Sequence, residues 1–82
     1  MSELELKDIE YFISTKLADV LKIDANTIDV TAPFESYGID SITAVRMVGE
    51  LEDLIDMELP TSLLWEYNNI EKLSQHLISL NN

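Results

Sequence analysis

Gly38-Ile39-Asp40-Ser41-Ile42 decides how this chain is read, because it sets a serine where a loop ends and an amphipathic helix begins. Gly38 is one of only two glycines and lets the backbone turn without steric penalty. Asp40 is a favoured residue type for a helix N-cap. Ser41 then falls in the first helical turn, where unpaired N–H groups and the positive end of the helix dipole favour an attached phosphate. A serine in that position can be reached and modified.

Downstream of this stretch, Val45, Val48, Leu51 and Ile55 mark the turns of a helix over about residues 41–56. Ala44, Val45, Val48, Leu51 and Ile55 are expected to form its buried face. Upstream, Leu6, Ile9, Ile13, Leu17, Val20 and Leu21 recur at spacings of three and four, which predicts a helix over about 3–22. Ser2 with Glu5 offers a capping box for it, and Met1 with Leu6 a hydrophobic staple. Ile70, Leu73, Leu77 and Leu80 predict a last helix over about 70–80, with Asn68 or Asn69 as its cap. Between Pro60 and that helix there is room only for a short one, at about 62–67. The expected fold class is therefore all-α: a small four-helix bundle of three main helices and a short third one, with a long loop between helices 1 and 2.

That loop, residues 23–40, is longer than a compact domain usually leaves structureless, so it must be anchored. Ile23, Ile28, Val30 and Phe34 are expected to pin it into the groove between helices. Thr27 to Thr31 alternates like a strand, but a lone strand has no partner for its ladder. An ordered loop is the reading.

Composition bounds the function independently. The 82 residues are expected to form one domain, 1–82, near the size at which a single core is marginally sufficient. A hydrophobic fraction of 46% argues for a packed core rather than a disordered tail. With no cysteine, neither a disulfide framework nor a thiolate metal site is available. The opening Met1-Ser2-Glu3-Leu4-Glu5 is acidic where a secretory leader is basic and then apolar, and no apolar run approaches a membrane span. A cytoplasmic chain with no membrane attachment is expected.

Sixteen acidic against five basic residues leave a formal net charge of −11. That balance argues against binding the phosphate backbone of nucleic acid. Basic protein partners are the natural complement, although an acidic surface also serves solubility. A monomer is the expected state of so small and acidic a domain.

Catalytic constellations are sparse. His76 is the only histidine and reads as a surface side chain of the last helix. A triad of Ser41, His76 and a carboxylate has no G-x-S-x-G elbow or glycine-rich oxyanion loop to support it, so no catalytic residue is assigned. A calcium loop starting at Asp24 would find Asn26 and Glu35 at ligand positions. It would also place Ile28 at a ligand position and Asp29 where the turn needs Gly, so no metal is expected.

The stretch around Ser41 resembles the carrier-protein family, the acyl and peptidyl carriers of polyketide, fatty-acid and nonribosomal-peptide assembly, whose hallmark is G-x-D-S-[LI]. The resemblance extends to Val30-Thr31-Ala32-Pro33-Phe34-Glu35-Ser36-Tyr37-Gly38 upstream. Downstream it takes in Leu59-Pro60-Thr61-Ser62-Leu63-Leu64-Trp65-Glu66-Tyr67 and Ile70-Glu71-Lys72-Leu73. The chain departs from the pattern at Asn68-Asn69, where polyketide-type carriers commonly read Pro-Thr; both pairs can serve as turn and cap.

This resemblance implies that Ser41 carries 4′-phosphopantetheine, joined by a phosphopantetheinyl transferase. Asp40 would act as helix cap, as a recognition element for that transferase, or as both. Acyl groups would ride as thioesters, and the chain would be a substrate of other enzymes rather than a catalyst. The exposed face of the second helix, with Ile42, Thr43, Arg46, Met47 and Glu50, is expected to meet the partners: an acyltransferase or acyl-adenylating ligase, a ketosynthase and other synthase domains. Ile42 could instead pack on the preceding loop, and Met47 could flank the core stripe.

Arg46, the only arginine, stands where stand-alone fatty-acid carriers usually place an acidic residue, which points to the polyketide type. Trp65 and Tyr67 are expected to close the core, the alternative being that they border an acyl groove. The runner-up within the family is a peptidyl carrier. From another class, the rival is an acidic helical interaction domain without a prosthetic group.

Overall fold

The structure, a computed structural model, describes residues 5–81. Four α-helices follow one another: α1 (Leu6–Leu21), α2 (Ser41–Ile55), α3 (Leu63–Glu66) and α4 (Ile70–Asn81). Two single 3₁₀ turns, Ala25–Thr27 and Phe34–Tyr37, divide the long connection between α1 and α2. The described residues contain no strand, in keeping with the all-α bundle expected.

α1 turns its Ile9, Ile13 and Leu17 inward at four-residue spacing, and α4 does the same with Ile70, Leu73, Ser74 and Leu77. These two helices pack on each other, while α2 packs on the short α3. Val20 and Leu80, placed by periodicity on the inner stripes, are 47% and 39% exposed near the last turns of their helices.

Ser2 and Met1, the expected cap and staple partners of α1, lie outside the described residues. Glu5, expected inside the helix, instead takes an extended conformation as its N-cap, and its N–H donates to Asp8 Oδ2 at 3.0 Å. α1 and α2 end without glycine: Lys22 and Asp56 both adopt left-handed backbone, φ 59° and 58°. The N–H groups of Asp56 and Met57 return to the Glu52 carbonyl, which satisfies a carbonyl the helix would otherwise orphan.

The 23–40 connection is tied to the α3–α4 junction by backbone bonds. Phe34 N–H donates to the Asn68 carbonyl at 2.7 Å and Glu71 N–H to the Val30 carbonyl at 2.9 Å. Asn69 serves both sides: its Oδ1 accepts the Lys72 N–H, capping α4, and its Nδ2 donates to the Thr31 carbonyl. Phe34 is wholly buried, with Ile28 and Val30 packed against the core. Ile23, expected to be a fourth anchor, is exposed instead; it directly follows the left-handed Lys22, and its N–H is spent closing α1 on the Ala18 carbonyl.

Candidate functional site

Three local devices set Ser41 at the head of α2. Gly38 closes the second 3₁₀ turn at φ 73°, a conformation that costs other residues about 1–2 kcal/mol. Ile39 is then buried as an anchor. Asp40 takes the N-cap: its Oδ1 accepts the Thr43 N–H at 2.8 Å, and its carbonyl accepts the Ala44 N–H at 3.0 Å. With Ile39 and Ala44 both buried, the two residues between Asp40 and Thr43 are forced outward.

Ser41 is accordingly exposed, and its hydroxyl has no hydrogen-bond partner among the described residues. The bond from the Thr43 N–H, helped by the Thr43 hydroxyl, holds the Asp40 carboxyl below the usual aspartate range. Asp40 is therefore ionised at neutral pH and fixed in its role as cap.

Tyr37 secures the loop that delivers Gly38. Its hydroxyl accepts the Asp29 N–H at 2.8 Å and donates to the Asp29 carbonyl at 3.2 Å. Nothing in sequence spacing pairs a tyrosine with a residue eight positions earlier in a loop, so this contact is visible only in the fold.

The five residues expected on the partner-facing side of α2 separate. Ile42 is 70% exposed and Arg46 is exposed beside it, whereas Thr43 is half-buried. Met47 does not belong to this face: at 3% exposure it is core. Its position, three residues after Ala44 and four before Leu51, is the stripe that α2 buries. Val45, assigned to the core from sequence, is 46% exposed, because its four-residue spacing from Ser41 puts it in the serine's own row.

Glu50 points toward α1, where its Oε1 meets Lys16 Nζ at 2.8 Å and holds the lysine above its usual pKa. Lys16 also lies over the Phe12 ring, 5.3 Å from its centroid. Ser41, Ile42, Val45 and Arg46 together line a hollow of about 290 Å³.

Trp65 is 43% exposed rather than closing the core. In a helix of a single turn, Leu63 and Leu64 occupy the inward positions, and the following Trp65 and Glu66 rotate outward. Tyr67 packs against the core and stacks on His76, ring centroids 4.0 Å apart at 13°. His76 is thus half-buried on an aromatic face rather than a free surface residue.

This geometry suits a covalent phosphodiester arm: the acceptor hydroxyl is exposed, has no partner among the described residues, stands on the first turn of a helix, and shares a hollow with a cationic side chain. The comparisons agree. The sequence pattern of the family described as "Phosphopantetheine attachment site" matches residues 12–77. Polyketide synthase PksL of Bacillus subtilis is 36% identical over 76 residues, 93% of this chain but 2% of that protein, so the chain spans only a small part of such relatives. Acyl carrier protein TtuC of Teredinibacter turnerae is 30% identical over 71 residues, covering 87% of this chain and 82% of that one.

Among solved structures, a free-standing peptidyl carrier protein from an uncharacterized Acinetobacter baumannii secondary metabolic pathway superposes with a TM-score of 0.90. It is 37% identical, with 95% of this chain and 98% of that chain covered. The chain belongs to the phosphopantetheine-attachment family, the carrier proteins that hold 4′-phosphopantetheine covalently on a serine.

Proposed function

We propose that Ser41 is the attachment point and that this chain is a non-catalytic acyl carrier of a polyketide pathway. The Ser41 hydroxyl, exposed on the first turn of α2 and without a partner among the described residues, carries the reading. Asp40 fixes that turn and presents a carboxylate to a basic transferase surface. When attached, the arm supplies a terminal thiol on which acyl groups are held as thioesters. The protein's own work is to present that arm, raising the effective concentration of cargo at each enzyme it meets.

The polyketide assignment draws on the similarity to PksL and to polyketide synthase ThaG of Burkholderia thailandensis, 39% identical over 66 residues. Its partners would be a phosphopantetheinyl transferase, an acyltransferase or acyl-adenylating ligase, and a ketosynthase, met through Ile42, Thr43 and Arg46. We place the chain in the cytoplasm, as a single monomeric carrier unit over residues 1–82. Among the described residues no helix is long and apolar enough to cross a membrane. A peptidyl carrier is the second reading, favoured by the likeness to the Acinetobacter protein.

Intact-mass spectrometry after incubation with coenzyme A, magnesium and a broad-specificity transferase tests the proposal. The parent is expected to gain one phosphopantetheine and Ser41→Ala none. A folded parent that gains nothing would overturn it. Loading of the product by an acyltransferase or acyl ligase, rather than by an amino-acid adenylation domain, separates the two cargo classes.

A further inference from the structure

The hollow beside Ser41 is built from two adjacent rows of α2, Ser41 with Val45 and Ile42 with Arg46, each pair one helical turn apart. Ile42 and Val45 give it two branched apolar walls that the rest of the described chain leaves uncovered. Arg46 stands at its edge and makes no ion pair among the described residues. In a chain of net charge −11, carboxylates to pair with are plentiful. The one at helical spacing, Glu50, is committed to Lys16 at 2.8 Å. An arginine without an ion pair among the described residues thereby lines the same hollow as the exposed serine.

We propose that this hollow cradles the proximal end of the 4′-phosphopantetheine arm, with Arg46 facing the phosphodiester and Ile42 and Val45 lying against the gem-dimethyl carbon that follows it. The inference rests on the reading of Ser41 as the attachment point. Because Ser41 itself lines the hollow, whatever it carries begins there. The first two chemical features of the arm are an anion and then a compact branched hydrocarbon. The walls offer a cation and two branched hydrocarbons, and a planar guanidinium suits phosphate oxygens.

Arg46 also offsets a local cost. The Asp40 carboxylate is held ionised next to Ser41, so an anion placed on Ser41 meets a like charge. The cradle leaves the distal, thiol-bearing end free while fixing the direction in which the arm leaves the protein.

The test uses the full chain after transferase treatment, with intact mass read first. In the fully loaded parent, NMR should show nuclear Overhauser contacts from the gem-dimethyl protons to the Val45 and Ile42 methyls. The ³¹P relaxation should be that of a group tumbling with the protein. Arg46→Gln, at an exposed position that leaves the core untouched, should lose both signatures in the fraction that intact mass shows to be loaded. Complete loading of the parent with no such contacts, or Arg46→Gln retaining both signatures, would overturn the cradle while leaving the role of Ser41 intact. Failure of the parent to load would overturn both.

Discussion

The Tyr37 hydroxyl holds the backbone of Asp29 at both of its polar groups, accepting from the N–H at 2.8 Å and donating to the carbonyl at 3.2 Å. One side chain thereby ties the second 3₁₀ turn, which leads to Ser41, back to the segment that follows the first. Tyr37→Phe keeps the ring and deletes both bonds, so it should cost about 1 kcal/mol. Urea denaturation gives the loss, and faster amide exchange at Asp29 should show that it is local. An unchanged exchange rate there would mean that the loop is held by Phe34 and the α3–α4 junction alone.

Met47 is core and Val45, two residues before it on α2, is exposed. Met47→Ala should destabilise by about 2–5 kcal/mol, the range for emptying a buried site. Val45→Ala should stay within about 0.5 kcal/mol. Thermal unfolding of the two variants decides it; equal losses would contradict the rotation of α2 described above.

Ser74 is fully buried on α4, and its Oγ has no hydrogen-bond partner among the described residues. Ser74→Ala removes a desolvated hydroxyl and adds helix propensity, so it should stabilise the protein by about 1 kcal/mol. A loss of stability on denaturant titration would show that the hydroxyl is satisfied after all.

Asp40 and Asp29 give the stability an acid limb. The Thr43 N–H lowers the Asp40 pKa, and the Thr31 hydroxyl and then its N–H lower that of Asp29. A folded-state pKa below the unfolded value of about 3.9 means that the contribution is complete above that pH. It is lost as pH falls through the folded-state values. Asp40→Asn keeps an N-cap oxygen but cannot titrate, so its denaturation midpoint should fall less than the parent's between pH 6 and pH 3. Parallel pH profiles would contradict the assignment.

Much of this was legible in sequence where local rules dominate. The four-residue spacing of Ile9, Ile13 and Leu17 gave α1, and Asp40 before Ser41 gave the start of α2, because periodicity and capping are set by near neighbours. Gly38 was identifiable as a turn for the same reason, there being few positions where a left-handed residue is needed. Val45 is misplaced by periodicity, and Met47 keeps two readings, docking contact or flank of the core stripe, of which the structure bears out the second; both fit a helical stripe, and only the partner helices decide which flank is covered. Trp65 was misread because size argues for burial, whereas rotation within a one-turn helix depends on where Leu63 and Leu64 dock. The Asn69–Thr31 and Tyr37–Asp29 bonds join segments whose meeting no local pattern announces.

Where the arm is attached is the central claim, and peptide mapping of the phosphopantetheinylated chain tests it most directly. Trypsin cuts after Lys22 and Arg46, leaving Ser36 and Ser41 in one fragment, Ile23 to Arg46. The Ser36 hydroxyl is already bonded to the Pro33 carbonyl at 2.7 Å, while Ser41 is exposed at the head of α2. Fragment-ion spectra are expected to place the added mass on Ser41 alone. Mass on Ser36, or on any other hydroxyl of that fragment, would contradict the account.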